Sequence, residues 1–275
     1  MTPRALTHSD VQSMNQPPFH FERYVAIGDS STEGIDDPDG RGGYRGWSQR
    51  LAERIAHAQG SLLYANLAVR GCRTRQVRDE QLAAALAMRP DLASVFCGTN
   101  DCLARDFDPA ALSHDLAHLF GTLTAGGATV LSFTLPDLTP IMPLARAIAP
   151  RVRMLNEALR SAAAASGAIL VDFAAYPVAT DRRLWNADRI HANSAGHARI
   201  ADALAEALGL PGSDASWREP LPAIAPRPPG FGFAAELAWT ARYLLPWAIA
   251  SAIGLRAAGA GGPKRPALEP VLPAR

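Results

Sequence analysis

The sequence predicts a three-layer, doubly wound α/β fold: a parallel five-stranded sheet flanked by helices, followed by a C-terminal Pro-rich linker and a helix. Three observations carry this expectation. Five short, continuously apolar runs recur between residues 21 and 210, longer segments with helical periodicity separate them, and the composition shifts to Pro, Gly and Ala beyond that point. Runs that are apolar at every position suit strands buried on both faces, and strand–helix alternation brings successive strands parallel.

The first run is Tyr24-Val25-Ala26-Ile27, closed by Gly28. Leu62–Leu67, Leu92–Phe96, Thr129–Phe133 and Ala168–Val171 supply the other four. Between them, Trp47–Ala58 places Leu51 and Ile55 on one helical face, and Arg75–Met88 is a segment of good helix formers stopped by Pro90. Asp108-Pro109 opens a third helix whose Leu112, Leu116, Leu119 and Leu123 form a stripe. Pro150–Ala165 gives a fourth, and Asn193–Leu208 a fifth that stops at Gly209. Together these make a flavodoxin-like domain over residues 21–210, in which ligands collect at the carboxyl ends of the strands.

Residues 211–275 read differently. Pro220–Pro229 is an extended linker, Phe231–Leu255 an apolar helix carrying Trp239, Tyr243 and Trp247, and Ala257–Arg275 a tail expected to be disordered. Arg242 and Pro246 inside the helix count against a membrane span. Its segment 233–255 is instead a candidate for packing on the core or a second subunit, and next for contact with a membrane surface.

Composition narrows the function. The 275 residues carry 27 basic against 26 acidic side chains, a net charge of +1, so there is no electrostatic footprint for nucleic acid. A small neutral or singly charged substrate is the expectation. Three cysteines, Cys72, Cys97 and Cys102, make an odd set without a CxxC pattern, which suits a reducing compartment. The polar stretch from Met1 to His20 does not read as a secretory signal, and a cytoplasmic location is expected.

The chemistry concentrates at the strand ends. Gly28-Asp29-Ser30-Ser31-Thr32-Glu33-Gly34 puts a serine just past the first strand, where glycine permits a sharp turn and close substrate approach. A phosphate-binding turn or a helix-capping serine would read the same way. Asp188-Arg189-Ile190-His191 precedes the last helix of the core. A neutral imidazole is the base a serine needs near pH 7, and an aspartate three residues upstream can turn back to hold its tautomer. A surface ion pair is the alternative. Gly71 offers an unobstructed amide and Asn100, in Gly98-Thr99-Asn100-Asp101, a side-chain amide, both suited to a developing oxyanion.

In this order, Gly-Asp-Ser-x-Thr-x-Gly, Gly71, Gly-Thr-Asn-Asp and Asp-x-x-His resemble the four blocks of the SGNH (GDSL) hydrolase superfamily. The Leu184-Trp185 and Asn193–His197 flanks are similar to a bacterial single-domain esterase/lipase-like branch. The resemblance implies a serine ester hydrolase with Ser30 as nucleophile, His191 as base, Asp188 as its partner, and Ser30, Gly71 and Asn100 as oxyanion donors. It implies an acyl-enzyme and neither cofactor nor metal. Ser31 and Cys97 depart from the bulkier residue and the glycine common at those places, which bears on pocket shape. Acyltransfer, thioester or lysophospholipid hydrolysis by the same residues, and a non-catalytic scaffold acting through the C-terminal helix, are the competing readings.

Weaker patterns have plainer explanations. His114-Asp115-Leu116-Ala117-His118 has metal-like spacing, yet the leucine stripe turns both histidines to solvent. The cysteines read as small packing residues, Asp29 and Asp101 as loop-fixing groups, and Arg70 and Arg73 as candidate contacts for an anionic substrate group. Ser31 and Thr32 point to a small polar pocket and short acyl groups, with the loops 36–44 and 137–148 setting acyl length. Pro136, Pro140 and Pro143 stiffen the second loop.

Overall fold

The computed structural model describes residues 20–223, 238–244 and 261–271. Most of the linker expected at 220–229 and most of the helix expected at 233–255 therefore fall outside the described residues.

The five expected strands form as β1 (Arg23–Gly28), β2 (Leu62–Asn66), β3 (Leu92–Phe96), β4 (Thr129–Phe133) and β5 (Ile169–Val171). They pair in parallel in the order β5-β4-β3-β1-β2. The principal helices are α1 (Gly46–Gln59), α2 (Leu82–Ala87), α3 (Pro109–Ala125), α4 (Ala149–Ser166) and α5 (Ser194–Ala207). α1 and α5 pack together, as do α3 and α4. Burial of β1 and β3 on both faces explains why their sequences are mostly apolar, with Val25, Ile27, Leu92 and Val95 fully enclosed and the buried Ser94 hydroxyl paired with that of Tyr24 at 2.8 Å.

Two expectations need correction. The sheet has six strands, because Arg265–Val271 of the tail expected to be disordered forms β6, antiparallel to β2. The Pro, Gly and Ala content pointed to disorder, but an edge strand tolerates residues such as Pro266 and Pro270 that cannot donate to a ladder, and β2 offers it an open edge. Lys264 anchors the approach to β6, its Nζ donating to the Tyr44 and Arg45 carbonyls at 2.9 Å, and burial pulls its pKa down to about 8. The helix expected over 75–88 is also interrupted: a helical turn at Thr74–Gln76 passes into a π turn at Val77–Gln81 before α2 begins. Among the described residues no helix is long and apolar enough to cross a membrane.

Candidate active site

β1 delivers Ser30 to the carboxyl edge of the sheet. Gly28 closes the strand at φ +152°, and a Cβ there would stand 2.2 Å from the Phe96 carbonyl oxygen, so glycine is required. Gln81 holds this residue from below. Its Oε1 accepts the Gly28 amide at 2.8 Å and its Nε2 donates to the Gly28 carbonyl at 2.9 Å. Ser30 then opens a single helical turn, Ser30–Glu33, capped by the Asp29 carboxylate, which accepts the Ser31 amide at 3.1 Å. As the first residue of that turn Ser30 has no intrahelical acceptor for its amide.

His191 meets Ser30 from the loop before α5. Its Nε2 lies 2.8 Å from Ser30 Oγ and its Nδ1 lies 2.6 Å from Asp188 Oδ2. A ring nitrogen facing a carboxylate carries the proton, which leaves Nε2 free to accept from the serine hydroxyl. Asp188 also closes its own turn: its Oδ1 accepts the amides of Ile190 at 3.0 Å and His191 at 3.1 Å. Between them Arg189 adopts φ +64°, a left-handed conformation that costs a non-glycine residue about 1–2 kcal/mol. Burial works against a charged His191, but the hydrogen bond and charge of Asp188, with Asp36 and Asp29 behind it, outweigh this and raise its pKa above the ordinary 6.5. Burial likewise opposes ionised Asp188, and the His191 hydrogen bond overcomes it, leaving the carboxyl below its usual range.

The oxyanion candidates converge on the same cavity. Gly71 sits at φ +79° in a turn with open space where a Cβ would be. Asn100 Nδ2 donates to the Cys72 carbonyl at 3.0 Å and, more weakly, to Asp29 Oδ2 at 3.3 Å. Asp29 is enclosed, and desolvation drives its pKa up to about 7. Asp101 fixes the neighbouring turn, accepting from the Thr74 amide and hydroxyl at 2.9 and 3.0 Å. Ser30, Gly71, Asn100 and His191 all line a cavity of about 370 Å³ whose remaining wall is largely aromatic and aliphatic, including Phe133, Phe173, Val178, Leu184, Ile200 and Trp217.

All five candidate residues, Ser30, Gly71, Asn100, Asp188 and His191, thus come together. Several subsidiary expectations change. Thr32 does not shape the pocket, because it is buried with its hydroxyl on the Phe96 carbonyl at 3.2 Å. Arg70 lines the cavity while paired with Glu33, which it meets through Nη2 at 2.5 Å, and Arg73 pairs with Asp106 at 2.9 Å. The cysteines are buried, unbridged thiols, and desolvation pushes Cys102 up to about 12. His114 and His118 are exposed, while Asp115 between them is buried against Arg78.

Three functional neighbours were not singled out from the sequence. Gln81 is one. Asp36, held at φ +70°, brings a second carboxylate 3.8 Å from His191 Nδ1. Asp36, Asp188 and His191 present metal-type ligand atoms within 4.8 Å of one another, but His191 Nδ1 and Asp188 Oδ2 are already hydrogen-bonded to each other at 2.6 Å. His197, within the Asn193–His197 flank, is buried and ties α5 to α1: its Nδ1 accepts the Trp47 amide at 3.1 Å and its Nε2 donates to the Ile35 carbonyl at 3.0 Å. Burial lowers its pKa to about 4, which keeps it neutral and structural.

Comparison with known proteins bears on this arrangement. A model of the GDSL-like lipase/acylhydrolase family matches residues 26–199. The chain is 30% identical over 200 residues to the GDSL lipase Rv0518 of Mycobacterium tuberculosis H37Rv, spanning 70% of this chain and 84% of that protein. Among solved structures, TesA superposes with a TM-score of 0.57 at 24% identity, over 68% of this chain and 98% of that one. The acetylxylan esterase Axe2 of Geobacillus stearothermophilus gives 0.56 at 16% identity, over 69% and 94%. At these identities the two structures establish a shared fold.

Proposed function

Since the chain belongs to the GDSL-like lipase/acylhydrolase family, we propose that it is a serine ester hydrolase working through an acyl-enzyme on Ser30. The observation that carries this reading is the unbroken relay from Ser30 Oγ through His191 to Asp188, at 2.8 and 2.6 Å. Ser30 Oγ attacks the ester carbonyl as His191 Nε2 takes its proton, and Asp188 stabilises the imidazolium. The carbonyl oxygen, now an oxyanion, accepts from the Ser30 and Gly71 amides and from Asn100, whose long 3.3 Å bond to Asp29 is the one it gives up. Collapse expels the alcohol with the proton from His191. A water then gives its proton to His191 and attacks the acyl group, and as the bond to Ser30 Oγ breaks His191 returns that proton to the serine and the acid leaves.

The cavity favours a medium-length acyl chain over acetate. Its lining follows the strand ends from β1 through β3 and β4 to β5. Those three inter-strand steps, at about 4.8 Å each, give a reach of about 14 Å. Carbon–carbon bonds of about 1.5 Å at tetrahedral angles advance about 1.25 Å each, so about eleven bonds span that reach and, less the terminal methyl's own radius, roughly ten carbons fit. The test is a series of p-nitrophenyl esters from acetate to palmitate at several pH values. Specificity should peak near octanoate to decanoate, and kcat/KM should rise with pH through a midpoint above 6.5, as neutral His191 is required. A maximum at acetate would refute the chain-length reading, and a flat profile from pH 5 to 8 would refute the role of His191.

A further inference from the structure

We infer that Trp239, which lies beyond the residues shared with the family, is a positioning residue that braces the turn carrying Asp188 and His191. This rests on the proposed roles of those two residues. The turn is not part of a strand. It is the tip of a narrow hairpin closed by the Trp185–Ala192 bridge, with the Asn186 amide donating to the His191 carbonyl at 2.8 Å. Such a hairpin fixes its own shape, but its tilt over Ser30 depends on what stands behind it. In front, Trp185, Ile190 and His191 face the substrate cavity. Behind stands Trp239, only 7% exposed.

Trp239 grips the turn at successive points. Its indole Nε1 donates to the Ala187 carbonyl at 2.8 Å, immediately before Asp188. Its ring lies 4.5 Å from the Arg189 guanidinium, a cation–π contact on the left-handed residue between Asp188 and His191. It also packs in a small apolar cluster with Leu138, Ile141 and Met142, against which Ile190 rests. Arg189 Nη1 donates to the Ile141 carbonyl at 3.2 Å, so the same indole couples the turn to the loop following β4. Both loops are thereby seated on one side chain, and loss of that seat lets the imidazole swing relative to Ser30.

The experiment compares the full chain with Trp239→Ala and Trp239→Phe. Two readouts are taken on protein shown to be folded by its thermal transition: NMR titration of the His191 imidazole, and kcat and KM separately. The charges facing that imidazole are Asp188 from its own turn, Asp29 from the end of β1 and Asp36 from the loop before α1, with His197 on α5 also coupled to it. Loosening the turn weakens the Asp188 contact most. The alanine variant should therefore show a lower His191 midpoint and a kcat reduced about 10- to 100-fold with little change in KM. Phenylalanine, which keeps the ring beside Arg189 and loses only the Ala187 bond, should recover most of that loss. An unchanged titration with kcat within twofold of wild type would overturn the inference. So would two variants that lose activity only in proportion to their unfolded fraction. If the alanine variant does not fold, Arg189→Met, which removes the stacked cation and its Ile141 bond, carries the same expectation for kcat and KM. A shifted titration in a protein inert towards every ester would preserve the brace and sink the hydrolase reading instead.

Discussion

Ser30 and His191 meet at 2.8 Å but are supported in opposite ways. Ser30 extends from β1, which is hydrogen-bonded on both sides, to β2 and β3, and its preceding glycine is gripped by Gln81. His191 extends from a hairpin outside the sheet, carries a left-handed neighbour, and leans on a tryptophan from the far end of the chain. Ser30, the proposed nucleophile, is therefore placed by the ladder. His191, the proposed base, is placed by side-chain contacts between loops, where a single substitution acts on alignment rather than on folding.

Substitutions on the two sides should separate accordingly. Outside the Ser30–His191–Asp188 relay, the largest effect within the site belongs to Asn100→Ala. Removing one oxyanion donor should lower kcat about 10²- to 10³-fold, as steady-state kinetics would read, without a matching loss of stability. A change below about threefold would remove Asn100 from the oxyanion hole.

Gln81→Ala strikes the rigid side. It strands a buried amide and a buried carbonyl at Gly28, so unfolding free energy should fall by about 2–4 kcal/mol in a denaturant titration. If stability holds while catalysis collapses, the ladder is not what places Ser30.

The smallest effect is expected at Asp36→Asn. A largely buried carboxylate 3.8 Å from His191 Nδ1 favours the protonated ring, so removing its charge lowers the His191 pKa. The acid limb of the kcat/KM profile should shift to lower pH, with plateau activity changed by less than about threefold. A shift to higher pH would contradict the assigned electrostatics.

The same division governs what the sequence disclosed. Ser30, Gly71 and Asn100 were legible because each follows an apolar run whose strand character is local, and Asp188 and His191 because their spacing closes within one turn. Gln81 was not, since a polar residue on a helix face does not announce that a π turn will aim it at the nucleophile strand. Asp36 was hidden by distance along the chain, its approach to His191 depending on how the loop before α1 folds back. Trp239 read as generic packing on an apolar helix, because no sequence pattern says which loop it will meet. β6 escaped notice because its pairing depends on the open edge of β2 rather than on its own alternation.

The account turns on Ser30 as an activated nucleophile, and covalent labelling with a fluorophosphonate, mapped by peptide mass spectrometry, tests this most directly. Wild type should carry one adduct, on Ser30, and folded Ser30→Ala should carry none, with ester hydrolysis reduced about 10⁴-fold or more. An adduct on another residue, or a Ser30→Ala variant that hydrolyses esters at the wild-type rate, would contradict it.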